Sequence, residues 1–166
     1  MKFSEEYKEL QNPLYVDYYI DYDLLKEYNL KISSLNIKLN QHISIFHRNN
    51  TYLYENENIF IKMLKNEINK TIHFIESEYN RIIKQIETND LSDKIIESVY
   101  EMEKFINLNK LAIYKILKKH DKYTNIKYSQ TIFINELIKK MYNFNFNKII
   151  IELNKKIVKE DDVIKQ

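Results

Sequence analysis

The 166-residue chain has no cysteine, no glycine and no tryptophan, and a single proline, Pro13. The lack of cysteine excludes a disulfide scaffold, a thiolate metal site and a cysteine nucleophile. The lack of glycine excludes phosphate-cradling glycine loops, nucleophile elbows and dinucleotide fingerprints, all of which bring backbone into positions that only glycine tolerates. It also disfavours tight hairpin turns, and with them sheets, relative to helices. Arginine is nearly missing, at Arg48 and Arg81 alone. No stretch nears the ~18 consecutive apolar residues that a membrane-spanning helix needs, and the opening MKFSEEYKEL is too acidic for a signal peptide. The sequence reads as that of a soluble protein.

At 44% apolar and 13% aromatic residues with a net charge of +2, the chain carries more hydrophobic material than a disordered segment does. Its length suits one domain, expected over residues 1–160, with a frayed polar tail at 161–166. Isoleucine, lysine, asparagine and tyrosine make up more than half of it. With such a bias an individual lysine or asparagine says little, and information lies in placement.

The spacing of apolar residues predicts an all-α fold. Asn12 and Pro13 separate a first helix, 2–10, from a second that starts near Asp17 and ends near residue 28, giving an N-terminal helical hairpin. Residues 29–57 read as a variable loop with helical pieces; the alternation in LNIKLNQHISIF leaves a strand open there. Phe60, Met63, Leu64, Ile68, Ile72, Ile75, Tyr79, Ile82, Ile83 and Ile86 recur at helical steps and predict a long amphipathic helix over 58–87. After the Thr88, Asn89, Asp90 turn, Ser92 and Asp93 can cap a second long helix to about residue 122, antiparallel to the first. Two shorter helices, 129–142 and 147–159, complete a bundle over 58–160.

Charge is unevenly placed. Between residues 104 and 127 stand seven lysines against one acid, Asp121, a local balance of +6 that leaves −4 for the rest. Lys115, Lys118, Lys119 and Lys122 follow i, i+3, i+4, i+7 spacing and so share one helical stripe. Such neighbours repel by about 0.2–0.5 kcal/mol per pair unless an anion neutralises them. A polyanion is the natural partner, although a solvated face is the commoner explanation of a lysine stripe.

Three blocks, taken together, resemble the SPX domain, a helical module of eukaryotic phosphate-homeostasis proteins. They are MKF at the start with Pro13, Tyr15 and YIDYDLLK over 19–26; the helix carrying Phe60, Leu64, Glu67, Ile68, Lys70 and Phe74; and LNKLAIYKILKKHDKYT over 108–124. They span about three quarters of the chain in the family's order. The resemblance implies a sensor without catalytic activity or cofactor that binds inositol hexakisphosphate or an inositol pyrophosphate. By the same resemblance Tyr22, Lys26 and Lys115 form a phosphate-binding cluster, Lys118, Lys119 and Lys122 an adjoining lysine surface cluster, and Lys2 part of the rim. The implied partners are a polyphosphate polymerase complex, a phosphate transporter or another phosphate-regulatory protein. The implied location is cytosol-facing, at a vacuolar or other membrane where the domain is attached to such a protein. Ser4 stands where the family often has glycine, and Glu5, Asp23 and Glu27 where it often has lysine; Ala112, Ile113 and Tyr114 replace its usual Gly, Phe, Arg trio.

The residues alone leave two other functions open: a nucleic-acid binder using the same lysines on backbone phosphate, and a structural bundle docking acidic proteins. Low net charge and scarce arginine speak against the first. His42, His47, His73 and His120 lack metal-ligand spacing, and the acid pairs Glu5–Glu6 and Asp161–Asp162 fall near the termini, so neither a metal nor a catalytic constellation is expected.

Overall fold

Pro13 sets the shape of the N-terminus. Helix α1, Phe3–Glu9, ends ahead of it, and Pro13–Tyr18 winds into a 3₁₀ helix whose first turn is capped by the Asn12 side chain, which accepts from Leu14 N at 3.0 Å. The computed structural model describes residues 2–40, 46–88, 93–124, 138–141, 143–144 and 146–165, with backbone alone for 35–40, 46–57 and 124. Among these residues the secondary structure is helical, with no strand. The chain is an all-α bundle.

Helix α2 is Tyr22–Asn40, so it starts five residues later than Asp17 suggests. Its cap is Asp21, whose Oδ1 accepts from Leu24 N at 3.0 Å. The delay has a local cause: the Tyr18 carbonyl accepts from the Thr71 hydroxyl at 2.9 Å, and Ile20 N donates to Asn109 Oδ1 at 2.8 Å. Distant side chains thus occupy backbone groups that a continuous helix would use, and the chain breaks between Tyr18 and Tyr22.

Much of the expected loop over 29–57 is helix. Residues 29–40 continue α2, and 46–57 open α3, Phe46–Glu87, a helix of 42 residues. Asparagine costs a helix only about 0.7 kcal/mol or less per residue, and no glycine or proline interrupts this region. Asn29 and Ile32 are buried, which gives the extension of α2 a core-facing side. The strand alternative is excluded for 35–40 and for Phe46; residues 41–45 lie outside the described set.

Helix α4 is Asp93–Thr124. The turn before it, with Ser92, lies outside the described residues except for Thr88, whose hydroxyl donates to the carbonyls of Lys84 and Gln85. Of the helix expected over 129–142, only 138–141 are described, and these are helical. Helix α5 is Phe146–Ile164; it runs through the segment expected to fray. Its inner face buries Phe146, Ile149 and Leu153, and Lys156 Nζ donates to the Ile86 carbonyl at 3.0 Å, closing the end of α3.

Contacts along the helices fix their directions. His120 stacks on Phe60 and Phe105 meets Phe74, so α3 and α4 are antiparallel. Asn109 bonds Ile20 and His120 bonds Asn29, so α2 and α4 run the same way. The core joins Leu25 and Ile32 of α2, Phe60, Leu64, Ile68 and Ile75 of α3, and Phe105, Ile113 and Ile116 of α4.

Candidate polyanion-binding surface

The parallel course of α2 and α4 decides where the charges meet. Residues Lys115, Lys118, Lys119 and Lys122 share one side of α4 because helical geometry allows nothing else, and Ile113, Ile116 and Leu117 are buried on the other. Lys115, Lys118 and Lys122 are exposed; Lys119 and Lys26 are half-buried. Lys119 is held below the usual lysine range, first by this partial burial and then by the fields of Lys26 and Lys122. Ammonium groups from two helices therefore converge on Lys119.

Phe3 joins the remaining pair. The Lys115 ammonium sits 5.8 Å from its ring centroid, and the Tyr22 ring meets it edge-on at 4.9 Å. A cation over a ring face gains about 0.5–1 kcal/mol where exposed. Tyr22 itself is buried, and burial raises its phenol above the ordinary range, with Asp23 and Tyr123 adding to the effect. It stands as much in the aromatic core as at the surface. Lys2 is exposed at the start of α1, next to Phe3; its carbonyl accepts the first helical bond, from Glu6 N at 3.0 Å.

Among the described residues, the ion pairs join Lys8 to Asp23, Lys31 to Glu27, Lys70 to Glu67, Arg81 to Glu78 and Lys104 to Glu101. None involves Lys26, Lys115, Lys118, Lys119 or Lys122. The acid at position 23 is engaged elsewhere: Asp23 receives hydrogen bonds from the Lys8 ammonium and the Ser4 hydroxyl. Lys8 and then Ser4 hold its carboxyl below the usual range. Glu27 lies 3.8 Å from Lys31. Asp23 thereby fastens α1 to α2 through Ser4 and Lys8.

Beneath the strip lies a polar joint that spacing does not disclose. Asn29 and His120 are both fully buried, with Nδ1 and Oδ1 2.7 Å apart and the imidazole stacked on Phe60 at 3.9 Å. With Oδ1 as acceptor, His120 carries its proton on Nδ1. Asn29 follows Lys26 by three residues and His120 follows Lys119 by one, so this bond sets the register of the two helices where their lysines face each other. A second joint lies nearer the start of α2. Tyr7 donates to the Ile20 carbonyl at 3.0 Å, and Asn109 accepts from Ile20 N while donating to the Phe105 carbonyl at 2.8 Å. Beside Tyr22 a cleft of about 280 Å³ opens between α1 and α2, lined by Lys8 and Lys70 but also by Asp17, Asp21 and Asp23. Its mixed charge distinguishes it from the strip.

No family model matches the chain. The chain is similar to a curated protein, vacuolar transporter chaperone complex subunit 4 of Schizosaccharomyces pombe: 27% of 153 aligned positions are identical, covering 75% of this chain. The chain spans 19% of the length of that relative.

Proposed function

We propose that this chain is an SPX-type sensor that binds an inositol polyphosphate or pyrophosphate on the α2–α4 strip and signals phosphate status to an attached domain or partner, without catalysis of its own. One observation carries the reading: Lys119 lies within the fields of both Lys26 from α2 and Lys122 from α4, with no ion pair to any of the three among the described residues. A densely phosphorylated ring offers many negative charges in a small volume. A single exposed pair contributes only about 0.2–1 kcal/mol, so such a ligand needs several cations held on a rigid surface. Lysine suits this task because its ammonium is an adaptable point charge on a flexible stem.

The similarity to a vacuolar transporter chaperone subunit supports a role in phosphate and polyphosphate homeostasis, and a polymerase complex as the partner class. No helix among the described residues is long and apolar enough to cross a membrane.

Calorimetry of the full chain with inositol hexakisphosphate tests the proposal. Lys115→Ala, Lys119→Ala and Lys122→Ala together remove three charge-assisted contacts and are expected to weaken binding about 100-fold or more. Unchanged affinity would refute the site. Displacement of the ligand by a DNA duplex, with a steep salt slope, would favour nucleic acid instead.

A further inference from the structure

The exposed face of α4 continues beyond the lysines. At 3.6 residues per turn, Leu111 lies about 20° around the helix from Lys118, Tyr114 about 40° from it, and Tyr100 directly below it. These three side chains are 41%, 57% and 49% exposed. Tyr100, Leu111 and Tyr114 thus share this face with Lys104, Lys115, Lys118 and Lys122 over roughly 33 Å of helix at 1.5 Å per residue; Lys104 is paired with Glu101, and Glu97 and Asn107 lie on the same side, toward the start of the helix.

A soluble polyanion explains the ammonium groups but gives Leu111 and Tyr114 nothing to do. A bilayer surface bearing phosphorylated headgroups satisfies both. Its phosphates face the lysines, while the boundary between headgroups and acyl chains accepts an aliphatic side chain and a tyrosine, which places its ring in the apolar layer and its hydroxyl in water. Each lysine near an anionic bilayer raises partitioning by about five-fold, and three by about a hundred-fold.

We propose that this face docks the chain peripherally on an anionic bilayer containing polyphosphorylated inositol lipid. Headgroup phosphates lie against Lys115, Lys118 and Lys122, and Leu111 and Tyr114 enter the interface. The proposal rests on the inositol-phosphate reading above and extends it from the free ring to the lipid-borne one.

Co-sedimentation with phosphatidylcholine vesicles containing phosphatidylinositol 4,5-bisphosphate tests it, alongside calorimetry with soluble inositol hexakisphosphate. The wild-type chain is expected to bind both. The double variant Leu111→Asn, Tyr114→Ser changes only surface positions; it is expected to keep its melting temperature and soluble-ligand affinity while losing about ten-fold or more in vesicle binding. Wild-type chain that binds the soluble ligand but stays off the vesicles overturns the membrane proposal alone. Chain that binds neither overturns the inositol-phosphate reading with it. Equal losses for both ligands assign Leu111 and Tyr114 to the fold and reject the docking role. Equal binding to phosphatidylserine vesicles of matched charge rejects the inositol-lipid assignment.

Discussion

Lys119 shows how one side chain can serve binding at the expense of stability. It is partly desolvated and repelled by Lys26 and Lys122, so the folded state disfavours its charged form. A lysine shifted down in this way destabilises the fold at neutral pH, and the cost shrinks as pH rises through the folded pKa toward the unfolded value. Lys119→Gln is therefore expected to raise stability at pH 7, by about 0.2–0.5 kcal/mol for each repulsive helical pair removed, while weakening inositol hexakisphosphate binding. Urea denaturation at pH 7 and again near pH 10 checks the sign: the gap between variant and parent should narrow at the higher pH. A destabilised variant would show that Lys119 has an attractive partner instead. The four stripe lysines could be placed together from i, i+3, i+4 arithmetic alone, because that relation is local. Their approach to Lys26, and the seat of Lys115 on Phe3, depend on two other helices; only the family resemblance pointed to Lys26.

At the scale of elements, the two buried polar joints hold α2 along α4. Asn109 is the more consequential because its amide serves the break between the 3₁₀ helix and α2: it satisfies Ile20 N and lies 3.4 Å from the Tyr7 hydroxyl. Asn109→Ala leaves the buried Ile20 amide without its acceptor, at a cost of about 1–3 kcal/mol. In hydrogen exchange its effect should concentrate on residues 3–20 and spare α3 near Phe74; uniform acceleration would place Asn109 in the general core rather than at this joint. The long amphipathic helices and their antiparallel pairing were legible because apolar residues recur every three or four positions over many turns. The extension of α2 was not, since Asn29 looks like a loop residue until His120 supplies its partner from 91 positions away. The later start of α2 was hidden for the same reason, its cause being Thr71 and Asn109.

Across the whole molecule, stability should grade from the middle of α4 to the far end of α5. Phe105, Asn109, Ala112, Ile113 and Ile116 are fully buried, whereas every residue from Val158 to Lys165 is exposed. Amides around Ile113 should exchange only through global unfolding, and those beyond Val158 should show almost no protection. Strong protection at Val163 and Ile164 would mean that the distal part of α5 packs against something in solution. The tail's polarity was read correctly from sequence, but a polar surface does not prevent a helix from continuing when no proline or glycine stops it.

With Lys115, Lys118, Lys119 and Lys122 on one stripe of α4 and the residues outside 104–127 summing to −4, the molecule is expected to carry an electric dipole. It should meet an oppositely charged surface already turned to the correct side. On a cation-exchange resin it should also elute later than other proteins of the same modest net charge.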